Sequence, residues 1–248
     1  MAISETARKN HGLLFPKHQS TLQATDPELV EVFDNFAFDE VLAYGTLDTK
    51  TRLMVILASL IAQQAVSEYK VMLGGALNVG VSPVEVKEIV YQAVPYVGIA
   101  KVYDFIHATN EILTSRGIKL PLENQSTTSP ETRFSKGLAL QKEIFGARIE
   151  AMHREAPADQ QHIQKFLSAN CFGDYLTRTG VEIKTRELLT FSMLLSLGGC
   201  ESQLKGHIQG NINIGNGKDV LLSVVTQLIP YVGYPRALNA IRCLNDIG

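Results

Sequence analysis

Gln92-Ala93-Val94-Pro95-Tyr96-Val97-Gly98 and Gln227-Leu228-Ile229-Pro230-Tyr231-Val232-Gly233 are one heptapeptide written twice. Lys50-Thr51-Arg52-Leu53 likewise recurs as Lys184-Thr185-Arg186-Glu187, and Phe38-Asp39-Glu40-Val41 loosely matches Phe172-Gly173-Asp174-Tyr175. The offset is 134 residues at the arginines and 135 at the tyrosines, so the second copy carries one extra residue between them. Solenoid repeats run to roughly 20–50 residues, so a period this long indicates a duplicated domain. The polar stretch from Thr114 to Thr132 separates the copies. Its Ser, Thr, Asn and Pro content is that of a surface linker. The expected organisation is a first domain over 1–115, a linker over 116–132 and a second domain over 133–248.

Each copy reads as helical. Asp26-Pro27 offers an N-cap followed by proline at the first helical position, and Ser82-Pro83-Val84-Glu85 is a capping box. Val86, Ile89, Val90 and Ala93 follow at helical spacing, and 99–113 is amphipathic. Arg52–Ala62 and Leu188–Leu197 are apolar on nearly every side, as central buried helices are. In the second copy helices are expected over 133–152, 157–176, 184–197, 200–213, 218–229 and 235–246. No segment alternates with period two between hairpin turns. The fold class is all-α, two tandem helical domains.

Composition narrows the function. Hydrophobic residues make up 45% and charged residues 19% of 248, an ordinary globular balance. A net charge of −2 gives no footprint for nucleic acid or an anionic membrane. The segment behind Arg8 and Lys9 is too short for a signal h-region, and no transmembrane helix is evident. Cys171, Cys200 and Cys243 are too few and scattered for a disulfide framework or a cysteine zinc site, which fits reduced thiols in a cytoplasm. His11, His18, His107, His153 and His162 have no partners at metal-ligand spacing. Gly215-Asn216-Gly217 has no preceding strand and is a turn, not a dinucleotide fingerprint. Neither metal nor cofactor is expected.

Chemistry gathers at Gly198-Gly199-Cys200-Glu201-Ser202-Gln203-Leu204-Lys205-Gly206-His207. The glycine pair breaks one helix and a second starts near Cys200, placing Cys200, Gln203 and His207 on one face. A cysteine in a first helical turn meets unpaired N–H groups and the positive dipole end, which favour thiolate. An imidazole two turns on would relay protons. The opposite reading, a small hydrophobe at a helix junction, also fits a lone cysteine.

Both halves resemble the carboxymuconolactone decarboxylase family, which includes alkylhydroperoxidase D-like proteins, over about 27–113 and 157–246. The resemblance rests on Arg186, His207, Gly215, Gln227 and Tyr231-Val232-Gly233-Tyr234-Pro235. It implies a helical fold that assembles as trimers or hexamers, hence a pseudo-hexameric homotrimer for a tandem chain. Redox members carry Cys-x-x-Cys, then His, with a glutamate on the preceding helix. Cys200 and His207 match, Glu187 stands near the glutamate position, and Gln203 replaces the second cysteine. Decarboxylase members tend to carry Glu-Leu-x-x-His; the second copy keeps the histidine, and the first keeps Glu68 but has Met72 for the histidine.

Three functions follow as expectations. The first is a thiol-dependent peroxidase: Cys200 attacks peroxide, His207 relays protons with Glu187, and an external thiol closes the cycle, Cys171 or Cys243 being poorer candidates. The second is a lactone decarboxylase in which His207 protonates carbon and Arg186 or backbone donors stabilise the dienolate. The third is an oligomeric binding scaffold without turnover. Arg186, Gln203 and Tyr231 are the candidate substrate contacts. Arg186 and Arg52, present in both copies, also suit fold-holding ion pairs, and Tyr231 and Tyr96 also suit a helix break. The first copy, with Ala65, Glu68 and Met72 at the positions of Cys200, Gln203 and His207, is expected to be silent, lacking thiol and imidazole.

Overall fold

A computed structural model describes residues 2–16 and 20–247; His18 lies outside them. The described residues form helices and turns with no strand. The first copy runs through α1 (Glu5–Leu14), α2 (Pro27–Phe38), α3 (Thr49–Ala62), α4 (Val66–Asn78), α5 (Pro83–Val97) and α6 (Ile99–Ser115). The second runs through α7 (Arg133–Phe145), α8 (Arg148–Glu155), α9 (Gln161–Phe166), a π-helical segment (Leu167–Leu176), α10 (Ile183–Leu197), α11 (Glu201–Asn213), α12 (Lys218–Val232) and α13 (Tyr234–Asn245).

The capping box forms as read: Ser82 Oγ accepts from the Glu85 N–H and the Glu85 carboxylate accepts from the Ser82 N–H. Two boundaries differ from expectation. The single helix expected over 133–152 is broken, because Gly146 takes φ +75°, ends α7 and lets α8 restart at Arg148. The helix expected over 157–176 starts at Gln161 and loosens into a π-helical run from Leu167. That run lies tight against α7. A Cβ at Gly137 would run into the Ser168 carbonyl, and one at Gly173 into the Arg133 carbonyl, so only glycine permits this approach.

One core joins the copies. Residues 52–62 of α3 and 186–196 of α10 are buried throughout, which is why neither helix shows a polar face in the sequence. The two pack side by side, and where they meet Ser59 Oγ and Ser196 Oγ are 2.7 Å apart. Ser196 also donates to the Ser192 carbonyl one turn back. A single apolar cluster runs from Ala7 to Leu244 and includes both central helices.

The repeated glutamines cross between copies. Gln92 on α5 donates to the Arg186 carbonyl at 2.7 Å and to Thr190 Oγ1 at 3.0 Å on α10. Gln227 on α12 donates to the Val41 carbonyl at 2.6 Å and the Tyr44 carbonyl at 3.2 Å. Each Pro-Tyr segment is thereby carried into the opposite copy. The equivalence of the copies also reaches back to α1 and α7. Asn78 donates to the Leu14 carbonyl at 2.7 Å, and Asn213 to the Ile144 carbonyl at 2.9 Å. Phe15 lies over Gly75 as Phe145 lies over Gly210.

Candidate active site

In the second copy, α7, α8, the π-helical segment, α10 and α11 enclose a cavity of about 630 Å³. Phe145, Ile149, Met152, Phe172 and Leu197 make most of its wall apolar, and Pro95 and Tyr96 of the first copy close one side. π-helical segments frequently occur at functional sites; this one presents Leu167, Cys171 and Phe172 to the cavity.

His207 is its central polar group. Its Nδ1 lies 2.8 Å from Glu187 Oε2, and its side chain is 12% exposed while that of Glu187 is fully buried. Phe145 and Tyr96 pack edge-on to the imidazole, with centroids 5.1 and 5.9 Å away. A histidine whose Nδ1–H is held by a carboxylate keeps its ring orientation and its Nε2 for the substrate side. Asn211, one turn beyond His207, donates to the Glu187 backbone carbonyl at 3.2 Å and to the His207 carbonyl at 2.8 Å, fastening α11 to α10 beneath the pair. Glu187 Oε1 and the Tyr96 hydroxyl are both buried without a hydrogen-bond partner. Burial drives the Tyr96 hydroxyl well above its usual pKa, reinforced by Cys171 and Glu187 beside it, so it stays a neutral phenol.

Cys200 is the N-cap of α11, one position outside the first turn expected for it. It lines the same cavity as Gln203 and His207. Its thiol, however, donates to the Leu194 carbonyl at 3.3 Å, and the His207 Nδ1 is taken by Glu187. Burial, then the neighbouring Glu201, raise the Cys200 pKa, and Arg236 only partly offsets them. Burial thus opposes the thiolate expected here. Cys171, buried in the cavity wall, is pushed up to about 12, mainly by desolvation. Iodoacetamide kinetics read by mass spectrometry should show Cys200 reacting more slowly than a free cysteine at neutral pH. The rate should climb only in alkaline buffer and be indifferent to His207→Ala.

Arg186 and Tyr231 do not line this cavity. The Arg186 side chain is 1% exposed and donates to Glu88 Oε2 at 2.9 Å, to Gln92 Oε1 at 3.1 Å and to the carbonyls of Arg178, Thr179 and Val181. Glu88 and Gln92 tie it to the first copy and the three carbonyls to the turn before its own helix, so it is a buried anchor away from this cavity. Tyr231 lines a different cavity, in the first copy. The cation the sequence reading missed is Arg148, exposed at the mouth, with its guanidinium 5.2 Å from the Phe145 ring centre. Its signal was Gly146, a helix-ending glycine that re-aims the residue two positions on.

Among the described residues no group of three or more His, Cys, Asp or Glu can hold a metal, and no helix is long and apolar enough to cross a membrane. The model of the carboxymuconolactone decarboxylase family matches residues 27–111 and 161–246. A 4-carboxymuconolactone decarboxylase from Acinetobacter baylyi is 30% identical over 118 residues, covering 47% of this chain and 87% of that protein. The two family matches leave out α1, α7 and α8, and with them Phe145 and Arg148.

Proposed function

The chain belongs to the carboxymuconolactone decarboxylase family, and from that premise we propose that its second copy is a carboxy-lyase for a small carboxylated lactone. The observation that carries this is the Glu187–His207 pair set in an apolar cavity with Arg148 at the mouth. Arg148 meets the anionic substrate, and the apolar wall strips water from the departing carboxylate. The C–C bond breaks, carbon dioxide leaves, and the electron pair passes into a dienolate. Imidazolium at His207 gives its Nε2 proton to carbon and recovers one from water, while Glu187 stabilises the cationic ring and Tyr96 offers a neutral hydroxyl nearby.

Nothing in this sequence of steps uses Cys200. The thiol-peroxidase reading is weaker, because it needs a thiolate where burial opposes one and a resolving thiol where Gln203 stands. Purified protein should release carbon dioxide from 4-carboxymuconolactone, and Cys200→Ser should keep that rate within about twofold, since it alters no group handling the proton. Absence of carbon dioxide release, or its loss in Cys200→Ser, would return the function to thiol chemistry or to a binding scaffold.

We further propose a homotrimer. Leu29, Val32, Tyr103 and Leu238 are more than half exposed, an apolar surface that closed assembly would cover. Sedimentation equilibrium should give three times the chain mass of 27.3 kDa, and the chain mass at every concentration would refute it.

A further inference from the structure

The first copy, expected to be silent for want of an imidazole, contains a cavity of about 710 Å³ in the place equivalent to the site just described. Its α4 positions are Ala65, Glu68 and Met72, as the sequence requires, but an imidazole enters from α1: His11. His11 packs against Phe15 and Phe38 with centroids 5.1 and 5.2 Å away, Phe15 being the counterpart of the Phe145 that packs on His207. The aromatic wall is continuous. Phe15 meets Phe38 at 6.2 Å, Phe38 meets Phe33 at 6.1 Å, and Phe33 meets Tyr231 at 6.0 Å, each nearly edge to face. Tyr231 crosses over from the second copy, and its hydroxyl oxygen is buried without a hydrogen-bond partner.

The two cavities differ in charge. The second copy's cavity has Arg148 at its mouth and no carboxylate among its described lining residues, Glu187 lying behind His207. Asp34 and Glu68 both line the first copy's cavity, and among the described residues no lysine or arginine lines it. Burial raises the Tyr231 hydroxyl's pKa, the Arg52 guanidinium lowers it, and Glu68 and Asp34 raise it again, which sets both carboxylates near that hydroxyl. Neither is free of protein partners, but a carboxylate has about four acceptor positions, enough to take a ligand N–H as well. Aromatic faces beside carboxylates are the chemistry that holds an organic ammonium, by cation–π attraction and charge-assisted hydrogen bonds.

We propose that the first copy carries a second binding site, between α1, α2, α4 and the Tyr231 segment, for a small apolar molecule bearing an ammonium group. The ammonium sits toward Asp34 and Glu68, and the apolar body lies along Phe15, Phe38 and Phe33. The two copies thus take ligands of opposite charge.

The test is calorimetric titration of the full chain with 3-phenylpropylamine and with 3-phenylpropionate, which differ in the charged group. The amine should bind, and Glu68→Gln and Asp34→Asn should each weaken it roughly tenfold or more, the loss expected for one charge-assisted hydrogen bond. Arg148→Ala should leave the amine affinity unchanged, and in that background the carboxylate should not bind. The proposal fails if amine affinity is the same in both acidic-residue variants, if the amine is lost with Arg148→Ala, or if the carboxylate binds as well as the amine in the Arg148→Ala protein. The comparison of the two probes in that background needs neither acidic residue altered, so it stands even if those variants misfold.

Discussion

Glu187→Gln should lower carbon dioxide release from 4-carboxymuconolactone by roughly 10²–10⁴-fold, the range lost when positioned proton transfer is removed. The substitution keeps the volume and a polar group 2.8 Å from His207 Nδ1. It removes the charge. A neutral amide cannot stabilise an imidazolium, so the ring loses the cationic form that gives its Nε2 proton to carbon. His207→Ala should cost at least as much, and the double variant should cost little more than the worse single one, because the two act as a unit. Steady-state rates with circular dichroism melts would check this. A Glu187→Gln enzyme with near-normal turnover and an unchanged melt would show that the pair is only structural.

Arg186→Met should destabilise the chain by about 3–5 kcal/mol, the summed cost of breaking one buried ion pair and leaving Gln92 and three carbonyls without their donor. Glu88, whose side chain is 2% exposed, loses the Arg186 contact at 2.9 Å and keeps only Arg178 at 3.0 Å. Against a typical total of roughly 5–15 kcal/mol, that loss brings the fold near its limit. The repeat partner should behave differently. Arg52 is also buried, but among the described residues its side chain makes one hydrogen bond, a long 3.4 Å contact with the Ala37 carbonyl. Arg52→Met should therefore cost about 1 kcal/mol or less. Urea unfolding of the two variants side by side would measure the difference, and equal losses would mean that the repeated arginine does the same work in both copies.

Much of the fold was readable because it rests on local chemistry. Ser82-Pro83-Val84-Glu85 declares a helix start through backbone groups within one turn, and uniformly apolar α3 and α10 declare burial. The Glu187–His207 pair was also within reach, since resemblance pointed to both residues and the glycine pair to the second helix. The rest depended on contacts between segments far apart in the chain. Tyr96 belongs to a cavity whose other walls begin some 45 residues later, and no periodicity within α5 announces that. Arg186 presents the same motif as Arg52, and only the approach of Glu88 and Gln92 decides that it is an anchor and not a substrate contact. His11 was discarded for want of neighbours in sequence, although its neighbours in space include Phe38. The Cys200 expectation weighed the helix terminus, and the burial that opposes a thiolate there comes from segments packed around it in three dimensions.

The crossing of Gln92 and Gln227 bears on ancestry. A chain with a single copy would lack the Pro-Tyr wall of its own cavity and could obtain one only from a second molecule, reciprocally. Such a progenitor would be an obligate two-fold pair, with one self-complementary patch serving both partners. Carrying both copies in one chain makes that pairing permanent and independent of concentration. It also releases the halves from identity, because a substitution no longer appears twice. The copies do differ: the glutamines grasp different atoms on the two sides, among the described residues Arg186 is ion-paired and Arg52 is not, and His207 and His11 reach their cavities from different helices. Fusion turned a symmetric pair into two sites free to diverge.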